Sequence, residues 1–514
     1  MIKIKAFITK YHLELFAVGI FLLLVPLSLK VNFIQNDDWN RTLTTQDFIK
    51  GNFVLRPETA NTFYLQGILG MLFYYLTGSM SFPLLTLIFS VLNFYIFGQI
   101  VKRHFTKSTL SVLTLSLLFF LNPFHIYSIW GFMAENFYLF FTLLSLLLFF
   151  EFEKKNCIKS LLLSNLSIIL GFFVKQVSIV TALSYIAYFG FGKRWKYLFI
   201  QLGITGGLIL YYYYLFPRTQ EMNVKDITLD KVKDFKFAFS LTWANLVYTT
   251  ALTLPLFFIA LSQKLSIRKV LVVTLSFILS YVIVANFFNP NIIGAGEFPY
   301  IQNTFTRSGF YPLNLHGAPY QHRFVYDMFT YWQMVGTVLA FSFIGLIVYY
   351  IRRMNTPTLY FYFGYLTLML LIVEMFDRYL LPVFPIFILL LLRVIQDYKR
   401  TYNLVVLPFV LFLVFINYQY SMDFVLGNNL MFTKAKELSV TEGVTYNQIL
   451  VNSAWRKVYA GQAKVYRFSY DGPNSDELLS KGYSLAETLK VDYPLNTHID
   501  PYIYIYKNSA NLNN

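Results

Sequence analysis

Apolar blocks of roughly membrane-spanning length, each bounded by charged or aromatic residues, recur along most of the chain. A spanning helix needs about 20 apolar residues, with about 17 to 25 tolerated. Blocks that read this way are 13–34, 84–101, 108–122, 134–152, 160–174, 177–192, 197–216, 241–262, 269–288, 328–351, 359–376, 380–396 and 404–420. Several are short and sit in close hairpins, so the count of about thirteen is approximate. Phe63 to Leu76 is apolar but too short to span comfortably, and reads as a helix lying along the interface. Beyond residue 420 the apolar density falls, and Tyr502-Ile503-Tyr504-Ile505-Tyr506 alternates with the period of a strand. The pattern predicts an all-α polytopic membrane protein with interfacial helices in its first outer loop. A transmembrane domain over 1–420 is followed by a small C-terminal α/β domain over 421–514, placed outside the membrane.

Basic residues fix the parity of that map. They cluster at Lys3/Lys5/Lys10, Lys102/Arg103/Lys107, Lys154/Lys155/Lys159, Lys193/Arg194/Lys196, Lys264/Arg268/Lys269, Arg352/Arg353 and Arg393/Lys399/Arg400. Every cluster falls at an alternate connection, which the positive-inside rule makes cytoplasmic. The N-terminus is then cytoplasmic, and an odd number of spans leaves the C-terminal domain extracytoplasmic. The first block has no small-residue cleavage site and is too long for a signal-peptide core, so it reads as a retained anchor.

Composition agrees with the pattern. Of 514 residues 56% are hydrophobic and only 13% charged, against about 25% charged in soluble domains. The net charge of +16 would point to nucleic acid if it formed a patch. Dispersed between apolar blocks, it sets topology and meets anionic headgroups of membrane lipids, so no nucleic-acid partner is expected. A single cysteine, Cys157, excludes an internal disulfide and any multi-cysteine metal site.

The opposite connections carry the candidate chemistry. The first opens with Asn36-Asp37-Asp38-Trp39 directly after the first block. Two adjacent carboxylates at a membrane boundary repel each other and resist desolvation unless something pairs with them. Asp37 and Asp38 read either as a general base or an acceptor- or metal-positioning pair, or as a solvated helix cap. In the second, Glu135 sits at the mouth of an apolar hairpin without a basic neighbour in sequence; the helix macrodipole is its alternative explanation. Lys175-Gln176 interrupts an apolar stretch at the same face, and Asp377-Arg378-Tyr379-Leu380-Leu381-Pro382 marks another turn there. A guanidinium at the bilayer edge is expensive unless it meets an anion, and it forks onto phosphate. Pairing with Asp377 or Glu374, or snorkelling, would also hold Arg378. The 289–327 loop contributes Glu297, Arg307, His316 and His322 among prolines and glycines, as a structured lid. The six-residue histidine spacing matches no standard metal pair, so no metal ligands are assigned and no cofactor is firmly implied, although a divalent metal would be compatible.

Taken together, the first-loop acidic pair, the segment Gln66-Gly67-Ile68-Leu69-Gly70, the Glu135 hairpin and Arg378-Tyr379-Leu380-Leu381-Pro382 resemble the GT-C superfamily of membrane glycosyltransferases. The likeness is to the branch of protein O-mannosyltransferases and bacterial lipid A aminoarabinose transferases. It covers roughly 10–400 in organisation. The resemblance implies transfer, with inversion, of a sugar from a polyprenyl-phosphate carrier to an extracytoplasmic glycan, lipid or protein acceptor. It implies Asp37, supported by Asp38, as base, with Glu135 holding the acceptor or tuning Asp37. Arg378, Tyr379, Lys175 and Gln176 would meet the donor phosphate, with Arg56, Gln66, Glu297, Arg307, His316 and His322 as further substrate-loop candidates. One departure is the absence of a Glu-Lys-Pro segment: here the stretch reads Arg56-Pro57-Glu58 through Asn61-Thr62. The competing classes are a lipid-linked-sugar flippase or transporter, expected to place charges at the midplane of repeated broken helices, and a polysaccharide polymerase or ligase. A structural scaffold remains as a fourth reading.

Overall fold

The computed structural model describes residues 10–35, 38–57, 59, 62–217, 233–263, 266–287, 323–371, 377–460, 465–470, 472–473, 475–498 and 500–508. Seventeen helices lie before the C-terminal sheet among these residues. They begin with α1 (His12–Lys30), α2 (Asp38–Ile49), α3 (Tyr64–Thr77), α4 (Phe82–His104), α5 (Thr109–Phe120) and α6 (Pro123–Ile129). There follow α7 (Ala134–Lys155), α8 (Ile158–Phe172), α9 (Ile179–Phe191), α10 (Trp195–Leu210), α11 (Phe235–Leu252) and α12 (Leu254–Ser262). The series closes with α13 (Ile267–Phe287), α14 (Arg323–Met354), α15 (Pro357–Leu371), α16 (Val383–Ile395) and α17 (Asn403–Thr441).

Eight helical runs among the described residues are long and apolar enough to cross a membrane, or ten if each of two bent pairs is one span. Their outward faces support that reading. On α13, Ile267, Leu271, Leu275 and Leu279 recur every fourth residue and are all more than half exposed. Such a stripe has no favourable contact in water, whereas hydrocarbon tolerates it. The protein is therefore a predominantly helical protein with the apolar helices of a membrane protein. Its centre is α16, whose Phe384 through Leu392 are fully or almost fully buried against α12, α14 and α15.

Two expected spans prove to be broken. The 108–122 block continues past a 68° bend into α6, because Pro123 cannot continue the α5 ladder and Asn122 caps the new helix through the Phe124 amide. The 241–262 block bends by 86° between α11 and α12, where Pro255 enters the first turn. Elsewhere, small residues let helices touch: a Cβ on Gly345 would lie 2.7 Å from the Val273 Cα on α13.

The boundary expected at residue 420 also moves. Loss of apolar density there marks the end of the hydrocarbon-like stretch, not the end of the helix. No proline intervenes, and α17 runs unbroken through Gly427 to Thr441, a length of about 58 Å at 1.5 Å per residue. The small domain that follows is a four-stranded sheet of order β1-β2-β4-β3, formed by β1 (Ile449–Leu450), β2 (Tyr466–Ser469), β3 (Ser484–Lys490) and β4 (Tyr502–Lys507). β1 and β2 are parallel, with α18 (Ser453–Tyr459) between them, and the other pairs are antiparallel. The Tyr/Ile alternation does form a strand, and both its faces are covered. Ile503 and Ile505 join the main core, while Tyr504 and Tyr506 pack with Leu478 on α19 (Asp476–Ser480).

The sheet is fastened to α17. The Tyr493 hydroxyl donates to Gln419 at 3.1 Å, the Gln419 amide donates to the Leu495 carbonyl, and Lys434 pairs with Glu487 at 3.0 Å. On the other side α18 packs against α2, the helix that begins with Asp38.

Candidate functional site

The break between α6 and α7 exposes backbone groups that no helix satisfies, deep among apolar neighbours. In such surroundings each unpaired peptide group costs free energy, so side chains must meet them. Phe132 lies at the centre. Its N–H donates to the Asp38 carboxylate at 2.5 Å, and its carbonyl accepts from the Gln66 amide at 3.0 Å. Gln35 donates to the Tyr127 carbonyl at 3.1 Å, and Asn93 on α4 donates to the Asn136 carbonyl at 2.9 Å. The 35–66 segment is thus clamped onto the 127–136 segment by amides and a carboxylate. Gly131 permits the close approach: a Cβ there would stand 2.0 Å from Asp38 Oδ2 and 2.2 Å from Gln35 Oε1.

This clamp sets a charged centre at the start of α7. Glu135, 1% exposed, accepts from the Lys175 ammonium at 3.0 Å, and Lys175 is itself buried. The second Glu135 oxygen, Oε2, accepts no hydrogen bond among the described residues. Arg41 and Arg378 lie within electrostatic reach of the same carboxylate. Arg41 is paired with Asp38 at 2.9 Å and touches the Met133 sulfur. Lys175 and Arg378 both lie over the Tyr379 ring, 4.2 Å and 5.6 Å from its centroid. The Tyr379 carbonyl accepts from the Tyr365 hydroxyl at 2.6 Å, and the Asp377 carboxylate accepts from the Arg378 amide at 2.7 Å. No protein-family model, curated protein or solved structure matches this chain.

The structure therefore brings Asp38, Glu135, Lys175, Arg378 and Tyr379 to one centre, from four separate stretches of the chain. Gln66 joins them through the Phe132 clamp, and Gln176 begins the short turn Gln176–Ser178 beside Lys175. Arg56 does not take part: it forms a partly exposed ion pair with Asp47 on α2 at 2.8 Å. Asp37, Glu297, Arg307, His316 and His322 lie outside the described residues. Among the described residues, no three His, Cys, Asp or Glu side chains gather as a metal would require.

Arg41 and Tyr365 were not picked out by the sequence reading. Arg41 had a signal, the (i, i+3) spacing from Asp38 that places a charge pair on one helix face. Tyr365 had none, because its role arises only where α15 passes the 377–380 turn.

The opposite end of the same helices is a different environment. Arg103 and Lys155 pair with Glu151, Arg194 pairs with Glu153, and the Arg393 guanidinium lies over Phe105 and Phe150. Glu151 and Glu153 lie 16 and 18 residues beyond Glu135 along α7, about 24–27 Å at 1.5 Å per residue.

Proposed function

We propose that this protein is a membrane glycosyltransferase that moves a sugar from a polyprenyl-phosphate carrier to an acceptor hydroxyl, with inversion at the anomeric carbon. The observation that carries the reading is the buried centre in which Glu135, Lys175 and Arg378 meet beside the Tyr379 ring. Two cations this close in a low-dielectric setting repel each other; Glu135 offsets part of that charge, and a further anionic group beside them is favoured. A phosphate at the membrane boundary is such a group, since its oxygens accept from a guanidinium and an ammonium together.

The basic end, with Arg103, Lys155, Arg194 and Arg393, takes the cytoplasmic side under the positive-inside rule. The charged centre then opens toward the extracytoplasmic leaflet. In the proposed step the acceptor oxygen attacks C1 of the sugar as its proton passes to a carboxylate. The bond from C1 to the carrier phosphate breaks, and the electron pair stays on the phosphate oxygen. Arg378 and Lys175 stabilise the charge that develops there. Asp38 is committed to Arg41 and to the Phe132 amide, so the proton falls to Asp37 and Asp38 acts as its support. Glu135 holds Lys175 in place through Oε1.

Purified full-length protein in lipid nanodiscs would be incubated with a panel of radiolabelled polyprenyl-phosphate hexoses and pentoses, following loss of label from the lipid. Turnover of at least one donor is expected, and Asp37→Asn should nearly abolish it while membrane insertion is retained. A panel left wholly intact by the wild-type protein would sink the reading.

A further inference from the structure

Beside the charged centre lies a cavity of about 220 Å³, walled by the 31–35 segment, α2, the start of α4 and the Gly131–Phe132 turn. It is smaller than the roughly 300–1,000 Å³ of pockets that take drug-sized ligands, which limits an occupant to about one ring. Its polar wall is rich in acceptors. Asn32, Gln35, Asp38, Thr42 and Ser81 line it, and two buried oxygens there, Gln35 Oε1 and Ser81 Oγ, have no hydrogen-bond partner among the described residues. Gln35 is 2% exposed, so bulk water does not meet that demand. A buried acceptor of this kind costs free energy until a donor arrives. The other wall is aromatic: Phe82 and Phe132 stack with centroids 4.6 Å apart.

We infer that this cavity binds one sugar ring of the acceptor, so that the substrate accepting the transferred sugar is itself a saccharide. The inference rests on the glycosyl-transfer reading and narrows it. A pyranose carries several hydroxyl donors around its edge and presents C–H groups on its faces, matching a wall of acceptors opposed by aromatic rings. A serine or threonine side chain brings a single hydroxyl, so a peptide would have to meet the second oxygen with a backbone N–H and would set no ring against the aromatic wall. The cavity is also preorganised. The Asn32 amides bond to Asn429 and Thr433 on α17 at 3.0 and 3.1 Å, and Phe33 packs edge-on against Phe424 at 5.5 Å, so the 31–35 wall is pinned from behind.

The test is saturation-transfer NMR on the full chain in nanodiscs, with methyl glycosides of common hexoses as probes and a Ser/Thr hexapeptide as the competing class. Saturable binding of at least one glycoside is expected. It should weaken by about tenfold or more in Gln35→Leu, which removes the acceptor and the cost of leaving it unmet. Ser81→Val serves as a second variant, and both are compared with wild type in thermal unfolding so that a misfolded variant is set aside in favour of the other. Absence of glycoside binding, affinities unchanged in a folded variant, or binding of the peptide alone would overturn the inference. Donor breakdown by the wild-type protein is measured in parallel. Breakdown without glycoside binding removes only the saccharide acceptor; glycoside binding without breakdown of any donor removes the transferase.

Discussion

Glu135 and Lys175 offer the sharpest separation of stability from activity. Their charged atoms lie 3.0 Å apart with side chains 1% and 8% exposed. At an effective dielectric of about 20, that separation corresponds to about 5 kcal/mol of attraction. Glu135→Gln removes the anion and leaves a buried ammonium with only a neutral acceptor, at a cost of about 3–5 kcal/mol. Lys175→Met strands the carboxylate in the same way. Glu135→Gln with Lys175→Met removes both charges, and a buried pair replaced together is often close to neutral in stability. The double variant should therefore be more stable than either single one, with a coupling of about 3 kcal/mol. Equilibrium unfolding in mixed micelles, followed by tryptophan fluorescence, reads it. Activity should behave differently. If Lys175 stabilises the leaving phosphate, the double variant stays about 10²–10³-fold below wild type even though it folds. Single-variant losses that simply add, within about 0.5 kcal/mol, would show that the two groups do not form a buried ion pair. A double variant that recovers transfer along with stability would refute the phosphate role of Lys175.

Other consequences follow from the same contacts. Gly131→Ala places a methyl 2.0 Å from Asp38 Oδ2, so the Phe132 clamp must open; thermal unfolding should show a loss of about 1–3 kcal/mol, with transfer reduced more than stability alone accounts for. Gly345→Leu pushes α14 off α13, since even a Cβ there would lie 2.7 Å from the Val273 Cα, and should lower the unfolding midpoint in detergent, whereas Gly203→Leu, where a Cβ would meet nothing within 4 Å, should leave it unchanged. In the C-terminal domain, hydrogen bonds from Lys507 and Tyr466 hold the Glu442 carboxyl below the usual carboxylate range, and the Glu442 bond in turn raises Lys507. A depressed carboxylate contributes stability that is present above its unfolded pKa and lost as pH falls through the folded one; a raised lysine loses its contribution as pH climbs through the folded value. The domain should therefore loosen below about pH 4, and Glu442→Gln should flatten that acid limb while costing less than about 1 kcal/mol at neutral pH, as befits a partly exposed pair.

How much of this was legible beforehand depends on the range of the interaction concerned. Span positions follow from local apolar runs, and α1, α4, α7, α10 and α13 begin and end within a few residues of the blocks that announce them. Alternating basic clusters separate one end of the bundle from the other, and Arg103, Lys155, Arg194 and Arg393 do gather at the end of α7 remote from Glu135. The charges at Asp38, Glu135, Lys175 and Arg378 stand out because ionisable residues at bilayer edges are costly. What local pattern could not give is their partners. Gln35, Gln66 and Asn93 serve the backbone of 127–136, a need created only when α5 bends away at Pro123. The end of α17 was misplaced for a related reason: hydropathy reports the surroundings of a helix, and a helix that leaves an apolar layer can continue where its surroundings change.

That continuation matters for the site. Because α17 does not stop at residue 420, its second half runs alongside the 31–35 segment and holds it at Asn429 and Thr433. Ser421 accepts from the Trp130 indole at 3.1 Å, one residue before the glycine that the first loop closes upon. At its far end the same helix carries the sheet domain, whose α18 rests on α2, the helix that begins with Asp38. The first loop is therefore gripped from three directions: by the 127–136 turn, by α17 and by α18. A short acidic loop at a membrane boundary would otherwise sample many conformations, and fixing its backbone costs about 1–2 kcal/mol per residue. Spread over contacts to three elements, that cost is met without an internal disulfide, since the chain has a single cysteine. The small domain thereby acts as part of the frame that keeps Asp38 facing the Phe132 amide.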